Sequence, residues 1–402
     1  MLIKKQPMRD FSLEVFFSEW EFAAKHHMTA SDLESMTLDE LLSMASEEEK
    51  AAFNNLWLGY TETWGAPALR EEIAKTYAME GEQISSTIEA KNILCLAGAG
   101  EGIYSVSKCL LGPEDHAIVP TPNYQSAETV PLSICEVTGV PLLTQNTEGQ
   151  KGWFLDMDAI KCAIQPNTKL LSLNFPHNPT GMLISNAEMH ELIVLCREHG
   201  IYILSDEVYR GVELDESDQM PQIANLYEKG ISLNVVSKAY GLPGLRIGWI
   251  ASQDQDLLQK VERYKHFLSI CNSAPSEALA LIALKNRDTI FARNRTLMKR
   301  NVLLLEALFD EFSGLVEWQR PKGGCVAFPR YIGPENVEVF CRFLLEDSGV
   351  LLLPASIYRS DLSAVSQDRF RIGFGRDEVF KDGIKAMRQH FESHYSDFKK
   401  TV

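Results

Sequence analysis

Two residues spaced eight apart, Lys238 and Arg246, carry the first chemistry legible in this chain. Lys238 follows the short run Asn234-Val235-Val236-Ser237. Arg246 follows a loop holding Gly241, Pro243 and Gly244, and it opens a second apolar run from Ile247 to Ala251. The run before Lys238 reads as a buried strand, and α/β sheets place their chemistry at strand ends. An amine held there is poorly solvated, which lowers its pKa and suits it to Schiff-base formation. Arg246 offers a planar fork for a phosphate. An amine and a phosphate clamp on one loop suggest pyridoxal 5'-phosphate. On this stretch alone, a solvated loop lysine explains Lys238 equally well.

Other polar residues fall at comparable places. Asp206 ends the apolar run Ile201 to Ser205 and reads either as an acid aimed into a site or as a helix cap. Asn178, in Asn178-Pro179-Thr180-Gly181, reads as a site residue or a turn residue. Tyr124 follows Pro122-Asn123, where its ring would stack on a flat cofactor or simply pack. Gly98-Ala99-Gly100-Glu101-Gly102 precedes an apolar helical stretch and would present free N–H groups to a phosphate. It is not a dinucleotide fingerprint, because position 103 is Ile. Arg371 lies within a strand-like run, where an inward charge demands a partner.

The elements that must position these residues alternate regularly. Strands are expected at 92–96, 116–119, 170–174, 201–205 and 233–236, with helices between them. One helix starts at a Ser185/Glu188 capping box and another has Pro67 in its first turn, running 68–80. Such alternation implies a mostly parallel sheet covered on both faces. Ser31 to Glu34 reads as a helix start, leading into an acidic helix over 42–50. After Ile250 the pattern changes to helices at 256–270, 276–285 and 289–312, then mixed helix and strand. The expected fold is therefore α/β: a large domain with a mostly parallel central sheet flanked by helices, plus a smaller α+β C-terminal domain.

Bulk properties narrow the function. The chain has 402 residues, 45% hydrophobic and 23% charged, which suits a large domain plus a smaller one. A formal charge of -16 argues against nucleic acid or an anionic membrane as partner. No apolar stretch approaches a membrane span, and the polar start lacks a signal-peptide core. Eight scattered cysteines without a C-x-x-C pair point to a reducing, cytoplasmic location. No metal site is expected.

Together these stretches resemble a class I/II, fold-type I pyridoxal-phosphate-dependent aminotransferase. The matching segments are Tyr60 to Gly65 with Leu69-Arg70, Gly98 to Gly102, Pro122 to Tyr124, Asn174 to Gly181, Ser205 to Tyr209, Ser237-Lys238 with Gly244 to Gly248, Pro321 to Gly324, and Phe370-Arg371. They occur in the family's order over roughly 58–376. The segment from Lys238 to Arg246 is also similar to branches that include histidinol-phosphate aminotransferases and capreomycidine synthases.

The resemblance implies a role for each residue. Lys238 would form the Schiff base and shuttle a proton, and Asp206 would keep the pyridine nitrogen protonated. Tyr209 and Asn178 would hydrogen-bond the ring oxygen, and Tyr124 would stack on the ring. Arg246 and the amides of Ala99 and Gly100, in the loop from Gly98, would hold the phosphate. Tyr60 would reach the phosphate of a partner subunit, making the active unit a homodimer. Arg371 would bind the substrate α-carboxylate, with Asn178 beside it. The implied activity moves the amino group of an α-amino acid to a 2-oxo acid. A β-lyase, a cyclase of the capreomycidine type or an amino-acid oxidase would use the same site, and a cofactor-binding regulator would keep it without turnover.

Three departures from the family pattern stand out. Val235 replaces a hydroxyl residue three before the lysine, leaving Ser237 to supply that phosphate contact. Gly100 stands where Ser is frequent, and Ala355 replaces a glycine, which would narrow the pocket or shift its loop. The side-chain pocket is expected to draw on 16–22 and on partner residues near Tyr60 and Asn272, with Trp64 as a wall. Glu19 or Glu21 would face a basic side chain, or Arg210 an acidic one. The expected division is an N-terminal segment over 1–45 packing on the small domain or the partner, a cofactor-binding domain over 46–285, and a small domain over 286–402.

Overall fold

The structure, a computed structural model, describes residues 8–78, 87–145 and 148–400. Its centre is a seven-stranded sheet. The strands are β1 (Ile93–Leu96), β2 (His116–Thr121), β3 (Glu136–Pro141), β4 (Thr168–Asn174), β5 (Tyr202–Asp206), β6 (Gly230–Val235) and β7 (Gly248–Ser252). They lie in the order β1-β7-β6-β5-β4-β2-β3. Only β7 runs against its neighbours, β1 and β6. The remaining strands share one direction, so the C-terminal ends of β1, β2, β4, β5 and β6 lie along one edge.

Burial explains why these runs are strands. β1, β2, β6 and β7 are buried at every position, as expected of strands covered on both faces. Their apolar residues pack against helices that include Ala99–Leu110, which contributes Ile103 and Val106 to one core cluster. The helix Asn186–His199 covers β4 and β5 through Leu192, Ile193 and Cys196, and its capping box is formed as read from Ser185 and Glu188. Pro67 occupies the first turn of Pro67–Lys75. That helix ends at Lys75, with Thr76 as its C-cap, short of the expected 80; residues 79–80 lie outside the described residues.

Two sequence expectations are corrected. Ser31 starts no helix; the chain is irregular until Thr37 and then Ser46 each cap a short helix, Leu38–Ser43 and Glu47–Asn54. Each has its own Ser/Thr-x-x-Glu box, so two local starts won over one long acidic helix. The helix after Gly98 begins at Ala99 rather than Ile103, which makes the glycine-rich segment its first turn.

The C-terminal portion forms a second layer. Strands Val326–Ala327, Leu353–Pro354 and Phe370–Gly373 make a small antiparallel sheet, with helices Val337–Ser348 and Glu378–His394 nearby. The N-terminal segment joins this layer: His26–His27 pairs in parallel with Val350–Leu351. Before it, helix α1 (Ser12–Trp20) rests against residues 355–358. Its one buried side chain, Leu13, packs with Phe328, Leu353 and Tyr358. A 25-residue helix, Arg287–Glu311, spans both layers. Asn294 Nδ2 donates to the carbonyl of Ala239, next to Lys238, at 2.8 Å. Asn301 Nδ2 donates to Phe374 and Arg376 carbonyls at 3.0 and 2.6 Å. One rigid rod thus ties the lysine loop to the C-terminal sheet.

Candidate active site

The strand ends open on a cavity of about 460 Å³, lined by loops after β1, β2, β4, β5 and β6 and by the N-terminal segment. Ala99, Gly100, Tyr124, Asn178, Asp206, Tyr209, Ser237, Lys238 and Arg246 all reach it. These nine lie far apart in sequence, and the common strand direction brings them together.

One end of the cavity is a cradle of donors. Gly98 takes φ +101, a left-handed value that glycine tolerates, and it caps the helix beginning at Ala99. The first amides of that helix face the cavity with the positive end of its dipole. Arg246 Nη1 lies 3.4 Å from Ser237 Oγ. A Cβ on Gly98 would sit 2.7 Å from Arg246 Nη2, so the glycine makes room for the guanidinium. Gly248, whose Cβ would meet the Gly98 carbonyl carbon at 2.9 Å, lets β7 approach from below. Guanidinium, hydroxyl and amides converge here with no carboxylate salt-bridged to Arg246 among the described residues, the donor set a phosphate needs.

The middle of the cavity holds the titrating pair. Lys238 is enclosed, and burial pushes its amine below the ordinary lysine pKa, with Asp32 opposing. Its Nζ donates to Ser31 Oγ at 2.9 Å. Tyr209 donates its hydroxyl to the Ser31 carbonyl at 2.8 Å. Asp206 keeps some surface open to the cavity but lies deep, and burial lifts its pKa to about 6. Its carboxylate accepts one backbone hydrogen bond, from Val208 N at 3.2 Å. An enclosed acid with so few donors fits a cationic ring nitrogen. Cradle and acid together fit pyridoxal phosphate.

At the other end, behind the lining residues Asn178 and Phe17, Arg371 is fully buried and does not itself line the cavity. Its Nη1 donates to Tyr358 Oη at 2.6 Å and to Asn178 Oδ1 at 3.3 Å, while Nη2 donates to the Thr29 carbonyl at 2.6 Å. Its Nε has no partner among the described residues, nor does any carboxylate pair with it. The guanidinium lies over the Phe17 ring, which lines the cavity, at 5.8 Å. A buried cation with a free donor is suited to an incoming carboxylate.

Other expectations fall differently. Tyr60 is 83% exposed and away from this cavity. Arg210 donates to the Met220 carbonyl and lines a separate groove with Lys75, Arg287 and Arg295. Glu19 does not reach the cavity, whereas Glu21 does. Trp64 packs into the core beneath β1, and Asn272 is held inside by Lys265 and the Leu96 carbonyl. Ala355 is buried outside the cavity lining, so it does not narrow it. Sequence reasoning missed Ser31, Asp32, His27, Tyr358 and Arg376. Ser31 and Asp32 were legible as polar residues, but helix-cap chemistry explained them as well. A cluster of Asp347, His390 and His394 lies outside this cavity, with His390 Nδ1 2.6 Å from Asp347.

Comparison with known proteins gives a consistent picture. The family described as Aminotransferase class I and II matches residues 27–387. The chain is 29% identical to a PLP-dependent aminotransferase from Streptococcus suis 89-1591, covering 99% of this chain and 100% of that one, with a TM-score of 0.87. It is 26% identical over 390 residues to capreomycidine synthase of Streptomyces vinaceus, covering 95% and 94% of the two chains. It is also 26% identical over 318 residues to an aspartate aminotransferase of Pyrococcus horikoshii, covering 78% of each.

Proposed function

Because this chain belongs to the class I and II aminotransferase family, we propose which of its residues carry the transfer and how its subunits assemble. The enzyme moves an amino group from an α-amino acid to a 2-oxo acid, with pyridoxal phosphate as cofactor. The observation that carries the residue assignment is the meeting of an enclosed lysine and an enclosed acid around one cavity, with an unsatisfied buried arginine directly behind its lining residues Asn178 and Phe17.

Bound pyridoxal phosphate supplies the electron sink that lets a proton leave the substrate α-carbon. Arg246, Ser237 and the amides of Ala99 and Gly100, freed by the turn at Gly98, hold the phosphate. Asp206 keeps the ring nitrogen protonated, with Tyr209 and Asn178 on the ring oxygen and Tyr124 against the ring face. Lys238 would hold the cofactor covalently and carry the proton; burial lowers the pKa of its amine, the direction that role favours. Ser31 orients that amine. Arg371 binds the α-carboxylate through its free Nε, which fixes the bond at the α-carbon that breaks.

The active unit in this reading is a homodimer in the cytoplasm. Trp57, Leu58, Tyr60, Phe267 and Ile270 are large, apolar and exposed. Their two segments touch, since Thr61 Oγ1 donates to the Asn272 carbonyl at 2.9 Å. That patch supports a subunit interface, with Tyr60 directed to the partner's phosphate. All eight cysteines are unpaired, as a reducing compartment requires. We divide the chain into an N-terminal segment over 1–45, a cofactor domain over 46–285 and a small domain over 286–402.

The test is an absorbance titration of the purified holoenzyme. Adding an amino acid alone should bleach the yellow band stoichiometrically, and a 2-oxo acid should restore it. Continuous turnover without an acceptor would replace this reading with a lyase, cyclase or oxidase.

A further inference from the structure

The mouth of the cavity carries more negative charge than the proposed chemistry uses. Seven charged residues line it: Glu14, Glu21, Asp32, Asp206, Lys238, Arg246 and Arg376. Asp206, Lys238 and Arg246 serve the cofactor in the reading above. Asp32 and Arg376 satisfy each other, with Arg376 Nη2 donating to Asp32 Oδ2 at 2.8 Å. Glu14 and Glu21 remain. Neither carboxylate has a hydrogen-bond or ion-pair partner among the described residues. They are seven residues apart, two turns of α1 and its C-cap, so they share a face, and that face looks onto the cavity. Leu13 buries the helix against Tyr358, while Phe17 on the same helix covers Arg371. The element that covers the carboxylate-binding arginine therefore also presents the two free acids.

We propose that the preferred amino donor is an α-amino acid whose side chain ends in a cation, a guanidinium or an ammonium on a straight aliphatic stem, recognised by Glu14 and Glu21. This rests on the proposed placement of the α-carboxylate at Arg371. A substrate anchored there and at Lys238 has one free substituent, its side chain, and the N-terminal segment carrying the two acids closes over that space. A dicarboxylic donor would instead bring a third negative charge to a mouth where Arg376 is already ion-paired with Asp32. Burial, with Glu14 and Asp32 beside it, also raises the pKa of Glu21 against the opposing pull of Arg376 and Lys238, a net cost that a bound cation would relieve.

Neutral isosteres provide the test: arginine against citrulline, and lysine against norleucine. The affinity of each for the holoenzyme is read from isothermal titration calorimetry with the catalytically arrested Lys238→Ala protein loaded with cofactor, and 2-oxo acid formation by the wild type is measured separately. The expected result is a cation over isostere preference of about tenfold or more, as for a charge-assisted contact. That preference should collapse in Glu14→Gln/Glu21→Gln and reverse in Glu21→Lys. Equal affinity for cation and isostere, tighter binding of aspartate or glutamate, or a preference that survives the double substitution would overturn the proposal. A cation preference without 2-oxo acid formation would support it while overturning the residue roles assigned for transamination, so the two failures are separable.

Discussion

A carboxylate as enclosed as Asp206 is charged at neutral pH only at a cost to the fold. Its folded pKa of about 6 exceeds the ordinary 3.8, so between those values the folded chain holds a proton that the unfolded chain has lost. Stability from this group therefore falls as pH rises through that window, by about 3 kcal/mol in all. Cofactor-free Asp206→Asn should accordingly melt higher than cofactor-free wild type at pH 8, with the gap closing toward pH 4. The same variant should lose kcat by two orders of magnitude or more, since removing one partner of a buried charge pair costs about 3–5 kcal/mol. Equal melting temperatures at pH 8 would show that Asp206 is better solvated than its enclosure implies. Gly100 supplies the opposite case. A Cβ there would meet nothing within 4 Å, although it lies in the phosphate cradle. Gly100→Ser should fit without strain, add a hydroxyl donor, and tighten cofactor binding several-fold, roughly the 0.5–1.5 kcal/mol of one net hydrogen bond. Equilibrium dialysis checks it, and weaker binding would place the phosphate elsewhere.

At the scale of elements, α1 is the piece whose stability is most local. Nine residues are too few to hold a helix in water alone, and Leu13 is its one buried anchor. Leu13→Ala removes roughly 2–3 kcal/mol of packing. The helix should then detach without unfolding the rest, because local opening costs less than global unfolding. The expected signature is a rise in substrate KM, faster proteolysis after Phe22, which is already 94% exposed, and a melting temperature within a few degrees of wild type. A lower melting temperature with unchanged KM would make α1 a structural strut instead. This element also shows where sequence reading stopped. Most strands of the main sheet were legible because they are short, largely buried apolar runs with polar residues at the end. Asp206, Asn178 and Lys238 could be placed by that logic. Ser31 and Asp32, which meet the cavity, and Tyr358, which meets Arg371 and Asn178 behind it, could not, since they arrive through tertiary contacts that no local period encodes. The strand Glu136–Pro141 was passed over because it is an edge strand, exposed or half-buried at all but one position.

Across the whole molecule, Tyr60 is the site candidate that faces away from its own subunit's cavity. It stands exposed beside Trp57, Leu58 and Phe267, in a patch too apolar to face water by choice. If that patch meets its own copy, each cavity is completed by the other subunit, and activity becomes a property of the pair. The consequence can be tested by complementation. Tyr60→Glu would set a carboxylate against the partner's phosphate, while Lys238→Ala removes the amine from its own cavity. Each variant alone should be inactive and dimeric. Mixed equally and allowed to exchange subunits, half of the dimers become heterodimers with one cavity that has both Lys238 and an opposing Tyr60. About a quarter of the sites should then recover wild-type turnover, the statistical yield for a shared two-fold interface. No recovery, in a mixture shown by mass to contain heterodimers, would mean that Tyr60 and Lys238 act within one subunit, and the exposed patch would need another occupant.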